Sequence, residues 1–229
     1  MTDARQRVLA IQPEAPPRFE NFLPGDNREP LQALQSLAGG DLAESVLYLW
    51  GTTGSGRSHL LQATVAAATQ SGRAAQYVVE GGDLPEVLSG LLAVDDVERL
   101  DHAGQVCLFS LINQAREGAG RVLAAGPAAP GHLTLRPDLA TRLGWGLVFG
   151  LRPLAEAERA VALRERAAAL GLDLGEDVVR YLLSHGRRDL PSLLASLDAL
   201  DAYSLSLKRP VTVPLARAFL AGRATPDRE

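Results

Sequence analysis

The sequence of 229 residues contains one cysteine, Cys107, so an intrachain disulfide is excluded. The thiol lies in the apolar run VCLFSLI, where we expect it to be buried and unreactive. No apolar run reaches the roughly 20 residues that a membrane helix needs. The N-terminal segment also lacks the apolar core of a signal peptide. These absences predict a protein of a reducing compartment, the cytoplasm, with no membrane segment.

Aromatic residues are scarce at 5% of the sequence, so aliphatic side chains must fill the core that a 46% hydrophobic content allows. Lysine is almost absent, since Lys208 is the only lysine among 23 basic residues. The formal net charge of -4 argues against nucleic-acid binding as the main function. The length suits one domain, or a core with a small accessory domain.

Short apolar strands alternate with helices over the first two thirds of the sequence. The pattern predicts strands at 46–50, 74–80, 121–126 and 147–150, an apolar strand at 91–96 that ends in two acids, and helices at 31–38, 58–72, 83–90, 102–118 and 137–146. In the helix at 102–118, we expect the apolar residues at 106, 109, 111 and 112 to face the core. Such alternation favours an α/β fold with a doubly wound parallel sheet.

Beyond about residue 152 the pattern is helical only, with helices predicted at 155–171, 175–186, 190–207 and 214–222. The first residues are rich in proline and polar groups. We therefore expect a flexible tail over 1–18, an α/β core over 19–151 and a small all-α domain over 152–229.

The stretch GTTGSGRSHL (51–60) matches the phosphate-binding loop G-x-x-x-x-G-K-[ST], except that Arg57 replaces the lysine. It follows a predicted strand and opens a predicted helix, as a P-loop requires, and successive backbone N–H groups in such a loop point at phosphates. The alternative is a glycine-rich turn without a ligand. Ser58 is placed to hold Mg²⁺, whereas His59 has no evident chemical role. The predicted nucleotide-binding residues here are Gly51, Thr52, Thr53, Gly54, Ser55, Gly56, Arg57, Ser58 and His59.

Two acids end the apolar run at 91–96. Asp95 stands where a Walker B aspartate coordinates Mg²⁺, and Asp96 stands where an acid would polarise the attacking water. The alternative is a pair of helix-capping acids after a strand. The P-loop upstream favours the metal site.

Five segments together resemble the Hda group within the DnaA-like AAA+ ATPases. Proteins of the Hda group are regulatory inactivators of the bacterial replication initiator DnaA. The segments are RFENFLPGDN, YLWGTTGSGRSHLLQA with an arginine in the loop as in Hda-type proteins, LLAVDDVERL, PDLATRLGWG and LRPLAEAERAVALRERAAALGLDL. The resemblance runs nearly end to end. It implies an AAA+ P-loop core with a parallel sheet, followed by a helical lid domain.

By position, the resemblance makes Arg142 an arginine finger that reaches into a neighbour's nucleotide site. The alternative is a surface arginine near a helix C-terminus, where it favours the helix dipole. Asp96 then becomes a vestigial water-polarising acid. Arg188 matches the lid's sensor arginine, which touches nucleotide in cis. Its neighbour Arg187 is a rival for that role, and a solvated arginine pair is the alternative.

The resemblance also implies an adenine pocket lined by Phe22, Leu23 and Pro153, for which ordinary core packing is the alternative. In the tail, Gln6, Leu9 and Ile11 fit Q-x-x-L-x-hydrophobic, similar to the motif by which Hda binds the DNA polymerase III sliding clamp. A glutamine amide would fix the register there, while two apolar side chains fill a pocket.

Two departures from the family pattern bear on activity. Ala125 and Pro127 stand where polar sensor residues are usual, and neither side chain can position a water or bind a γ-phosphate. Arg57 offers a planar fork instead of the compact charge of lysine. We therefore expect a bound nucleotide, ADP (or ATP) with Mg²⁺, and feeble ATPase activity in cis.

The implied function is negative regulation of replication initiation. With the DNA-loaded sliding clamp, the protein would stimulate hydrolysis of DnaA-bound ATP, placing it at the nucleoid through its partners. No segment after the lid resembles the initiator's DNA-binding domain, so we expect no direct sequence-specific DNA binding. The sequence is also compatible with a homo-oligomer. The alternatives are a self-contained AAA+ ATPase, such as a helicase loader, and a non-catalytic adaptor between initiator and clamp.

Overall fold

The computed structural model describes residues 16–79, 83–186 and 189–223, and for 222–223 the backbone only. These residues form two compact units, which divide between Leu154 and Ala155. None of the helices within the described ranges is long and apolar enough to cross a membrane.

The first unit is built on a parallel sheet in the order β2-β3-β4-β1-β5. Its elements are α1 (Arg28–Gly39), β1 (Val46–Trp50), α2 (Arg57–Gln70), β2 (Ala75–Val78), β3 (Gly90–Val94), α3 (His102–Arg116), β4 (Gly120–Gly126), α4 (Pro137–Leu143) and β5 (Leu147–Gly150). The predicted α/β fold with a parallel sheet is confirmed.

Alternation along the buried strands explains the three layers. Val46 and Tyr48 on β1 point to the layer that holds α3 and α4, whereas Leu47 and Leu49 point to the layer that holds α1 and α2. Strands buried on both faces read as continuous apolar runs, and this is why VLYLW could be recognised from the sequence. The register aligns Trp50 with Gly126 on β4 and Gly150 on β5, so the carboxyl ends of these strands meet at one edge.

The helix predicted at 83–90 is wrong, because residues 83–89 have no helical structure. Side chains of α3 satisfy this segment's backbone instead: Gln114 accepts a hydrogen bond from the Leu88 N–H at 2.8 Å and donates to the Glu86 carbonyl at 3.1 Å. The Cys107 thiol donates to the Pro85 carbonyl at 3.5 Å and is half-buried, not fully buried as expected.

The core-facing side of α3 agrees with the expectation at Leu111 and Ile112 and differs from it at Val106. Its buried residues are Leu108, Leu111, Ile112 and Ala115, whereas Val106 is 42% exposed and Phe109 is only partly buried. A helix presents one stripe to the sheet, and the stripe of α3 begins two residues later than we predicted.

The second unit is a bundle of α5 (Glu156–Leu170), α6 (Glu176–His185), α7 (Leu190–Leu207) and α8 (Val213–Arg223). Its core contains Leu163, Leu182 and Leu197, among other apolar side chains. Arg166 on α5 makes a two-pronged ion pair with Asp198 on α7, with both N–O distances at 2.7 Å. The predicted all-α domain after the sheet is confirmed.

Candidate nucleotide site

The loop of residues 51–56 joins β1 to α2 at the carboxyl edge of the sheet. A Cβ on Gly51 would lie 2.6 Å from the Ser55 Oγ and 2.9 Å from the Leu151 carbonyl oxygen. Gly56 has φ +95°, and a Cβ there would lie 2.7 Å from Phe22 Cε2. The loop is therefore wound too tightly for a side chain at either position.

Polar groups around this loop have the character of an anion site. The Ser55 Oγ and the Arg57 Nη1 are buried without a hydrogen-bond partner among the described residues. The N-terminus of α2 has no side-chain cap and no acid in its first turn. Free N–H groups and the helix dipole favour an anion at such an end. Since buried polar groups seldom stay unpaired, the loop fits the phosphates of a nucleotide.

Asp95, which directly follows β3, is 1% exposed. Its carboxylate accepts hydrogen bonds from the Tyr77 hydroxyl at 2.9 Å and from the Asp96 N–H at 3.0 Å. Burial and the Asp95 charge raise the pKa of Tyr77 to about 12, so this hydroxyl remains a donor. The two bonds fix the orientation of the acid at the sheet edge.

The predicted metal-binding oxygens are Ser58 and Asp95. Ser58 is exposed on the first turn of α2. No group of three or more histidine, cysteine or acidic residues that could hold a metal occurs in the described ranges. This donor set fits Mg²⁺ bound in the way it usually is, through one or two protein oxygens together with phosphate oxygens and water.

Arg57 is paired with Asp96, the predicted water-polarising acid. The Arg57 Nη2 and the Asp96 Oδ1 are 3.9 Å apart, and the two side chains are 12% and 25% exposed. Asp96 has φ +47°, a left-handed conformation that is uncommon outside glycine. The loop arginine thus contacts the acid that a hydrolysing site would keep for water.

Glu98 is a site residue that sequence reasoning missed. Its Oε2 is buried without a partner among the described residues, and it would lie 3.4 Å from a Cβ on Gly126, at the end of β4. Burial is the main cause that raises the pKa of Glu98, while Arg57 lowers it. The sequence does show Glu98 as a third acid in DDVERL. Its burial could not be predicted, because the end of β4 in the folded sheet creates it.

The segment predicted to line the adenine pocket lies against the loop. The Phe22 ring contacts the loop at Gly56 and lies 5.5 Å from the His59 ring, centroid to centroid. The His59 Nε2 is 2.9 Å from the Arg18 carbonyl oxygen, and burial lowers the pKa of His59. The neutral imidazole therefore anchors residues 18–22 beside the loop, a structural role that the sequence did not reveal.

Asn27 brings the other two predicted pocket residues toward the same place. Its side-chain amide donates to the Arg152 carbonyl and accepts from the Arg152 N–H, both at 2.8 Å. This pairing holds the chain after Leu23 beside the chain before Pro153. Both of those side chains are exposed at the surface.

Arg142, the predicted arginine finger, lies near the end of α4. Its guanidinium carbon is 3.4 Å from the centroid of the Trp145 ring and 5.2 Å from that of Phe109. It makes no ion pair or hydrogen bond with the P-loop or the Walker B acids as the structure describes them. Four further predicted residues lie outside the described ranges: Gln6, Leu9, Ile11 and Arg188.

Comparison with known proteins finds one matching family model and several structures of similar fold. A family model described as the Hda lid domain matches residues 156–220. Domain III of the replication initiation protein DnaA from Thermotoga maritima has a similar fold, with a TM-score of 0.72 and 21% identity over 94% of this chain and 100% of that chain. AMPPCP-bound DnaA from Aquifex aeolicus gives 0.67 and 20%, over 87% and 71% of the two chains. A RuvB mutant from Thermotoga maritima gives 0.67 and 14%, over 90% and 73%.

The lid match covers the second unit of the structure, and the fold similarity to DnaA extends through the P-loop core. The chain has the AAA+ fold of these DnaA and RuvB structures, with a C-terminal helical region that matches the Hda lid domain.

Proposed function

We propose that this protein is a negative regulator of replication initiation. It holds ADP (or ATP) and, together with the DNA-loaded sliding clamp, stimulates hydrolysis of DnaA-bound ATP by supplying Arg142 to the initiator's nucleotide site. The observation that carries this proposal is the placement of Arg142. Its guanidinium lies over the rings of Trp145 and Phe109, and it makes no ion pair or side-chain hydrogen bond with any described residue, its own chain's P-loop included.

A nucleotide at the protein's own site has a stabilising role in this proposal. The P-loop, Ser58 and Asp95 would hold its phosphates and Mg²⁺, and Phe22 would contact the base. Mg²⁺ would supply charge neutralisation of the phosphates. Binding of any ligand to the native state alone stabilises that state.

Hydrolysis in cis is expected to be feeble. Arg57 pairs with Asp96, so this carboxylate is less available to orient a water. Ala125 and Pro127, at the end of β4, offer no polar side chain to a γ-phosphate. Glu98 lies beside them and, as an acid, offers no positive charge to a γ-phosphate either.

Recruitment is assigned to the N-terminal tail. Gln6, Leu9 and Ile11 would bind the sliding clamp, and the AAA+ core would meet DnaA. The evidence for the clamp contact is the sequence motif, and the evidence for the DnaA contact is the family of the lid.

The test measures hydrolysis of DnaA-bound ATP in the presence of DNA-loaded clamp. Wild type should stimulate hydrolysis, and Arg142→Ala should lose about 10³-fold or more, as expected for an arginine finger. Arg136→Ala is the matched control, since Arg136 immediately precedes the same helix but is paired with Asp138 at 2.7 Å. Stimulation that survives in Arg142→Ala, and is lost in Gln6→Ala, would make the protein an adaptor instead. Strong turnover by this protein without DnaA would make it a self-contained ATPase.

A further inference from the structure

Trp145 carries two arginines on one exposed indole ring. Arg142 lies 3.4 Å and Arg116 lies 4.0 Å from the ring centroid, each measured from the guanidinium carbon. Trp145 is 43% exposed in the connection between α4 and β5, and Arg116 is the last residue of α3. The ring therefore joins the ends of two helices at the surface.

Neither guanidinium has a compensating acid. Arg116 and Arg142 make no ion pair and no side-chain hydrogen bond with any residue in the described ranges, although Glu117 adjoins Arg116 in sequence. Two like charges held on one ring repel each other, and the attraction of the ring's π face offsets part of that repulsion. The cluster therefore gains most from an anion that carries more than one charge.

The stack also restricts the motion of Arg142. A surface arginine normally samples many rotamers, and holding it in one of them loses side-chain entropy. The face of Trp145 on one side and the Phe109 ring at 5.2 Å confine the guanidinium before any partner arrives. A catalytic group that is already placed loses less freedom when it binds, which favours the reaction.

We propose that Trp145 is a positioning residue for Arg142, and that Arg116 supplies a second positive charge to the same anion. That anion is the phosphate chain of a nucleotide held by a second protein. The inference rests on the proposed function, because it deepens the role of Arg142 in trans.

The kinetic test compares three variants in the clamp-dependent assay, measuring the maximum stimulated rate and the half-saturating concentration of this protein. Trp145→Leu should lower the maximum rate by about two- to fivefold, the equivalent of one cation–π contact. Trp145→Phe keeps a π face and should recover most of that loss. Arg116→Gln should raise the half-saturating concentration about two- to fivefold and largely keep the maximum rate.

A spectroscopic test reports the stack independently of activity. The chain has two tryptophans, so Trp50→Phe leaves Trp145 as the only indole. In that background, removing either stacked guanidinium with Arg142→Gln or Arg116→Gln should change the emission of Trp145. Arg136→Gln, which removes a charge just before α4, should leave the emission unchanged. Addition of DNA-loaded clamp and DnaA–ATP should shift the emission of Trp145, because Arg142 would then bind the phosphates of the DnaA-bound ATP.

The outcomes separate this inference from the function on which it rests. If Arg142→Ala is inactive while Trp145→Leu stimulates like wild type, the proposed function stands and the positioning role is refuted. A Trp145→Phe variant as impaired as Trp145→Leu would also refute it, since a π face would then not matter. If Arg142→Ala is fully active, the proposed function fails and the inference fails with it.

Discussion

Replacing Gly56 with alanine tests the tight approach between the P-loop and the segment that carries Phe22. Gly56 and Gly118 have nearly the same backbone φ, +95° and +96°, in the left-handed range. Their surroundings differ, because a Cβ on Gly56 would lie 2.7 Å from Phe22 Cε2, whereas a Cβ on Gly118 would meet nothing within 4 Å. Gly118→Ala is therefore a matched control for backbone strain alone.

The magnitudes follow from these two environments. A left-handed conformation costs an L-residue about 1–2 kcal/mol, which is the loss of folding free energy expected for Gly118→Ala. Gly56→Ala carries the same strain and must also displace the Phe22 ring. Forcing an extra methyl group into a packed site costs about 1–3 kcal/mol. The expected loss for Gly56→Ala is therefore about 2–5 kcal/mol in total.

Two assays on the full chain measure these effects. Urea unfolding gives the change in stability, and titration with a fluorescent ADP analogue gives the dissociation constant. Gly118→Ala should bind the analogue like wild type. Gly56→Ala should bind it at least about tenfold more weakly, an effect of 1.4 kcal/mol, because the loop must shift. In a Phe22→Ala background, Gly56→Ala should cost less folding free energy than it does in the wild-type protein, because the ring that its methyl group would meet is gone. Equal destabilisation by the two glycine variants, or wild-type ADP affinity in Gly56→Ala, would refute the reasoning.

Three further predictions concern single side chains. Burial raises the pKa of Glu98 in the folded state. The Glu98 carboxyl therefore favours folding most below its pKa in the unfolded chain, where it is protonated in both states. That contribution to stability is lost as the pH rises through its pKa in the folded protein. Glu98→Gln should accordingly stabilise the protein relative to wild type at pH 7 and by less at pH 5, as measured by urea midpoints. Tyr77→Phe removes the hydrogen bond to Asp95 and should lose about 1.5–3 kcal/mol in the same assay. Asp198→Asn breaks the partly exposed ion pair with Arg166 and should lose no more than about 1 kcal/mol.

Each of these predictions has an outcome that contradicts it. A stability difference between Glu98→Gln and wild type that stays constant from pH 5 to pH 7 would show that the carboxyl titrates normally. A Tyr77→Phe variant as stable as wild type would show that its hydroxyl does not hold Asp95 in solution. A loss above about 3 kcal/mol for Asp198→Asn would match a buried pair, not the partly exposed one seen here.

The strands were readable from the sequence, because each is a short apolar run that ends at a glycine or an acid. VLYLW before Gly51 and the run before Asp95 show this clearly, and the loop and the acid that follow these two strands lie at the same sheet edge. The loop between β1 and α2 could be predicted because its residues are consecutive: the glycines, the arginine and the helix start adjoin one another.

Features that depend on distant residues could not be read in this way. The segment 83–89 has residues that favour a helix start, Asp83 and Pro85. In the structure, the Gln114 side chain on α3 instead binds backbone groups of this segment. The residues around position 88 give no indication of that contact. The burial of Glu98 is likewise created by the end of β4. The stack on Trp145 joins residues from α3 and α4, whose proximity follows from the sheet order.

The strand order has a consequence for how the chain forms during synthesis. β1 is synthesised early, but it pairs in register with Val122 on β4 and Leu147 on β5. About a hundred further residues must therefore be synthesised before both edges of β1 can form their hydrogen bonds. Pairings so distant in sequence form slowly, and an unpaired apolar strand is prone to join another chain. VLYLW therefore stays without its strand partners for some time after it leaves the ribosome, and the Leu151 carbonyl that lies against Gly51 is added only after β5 has been made.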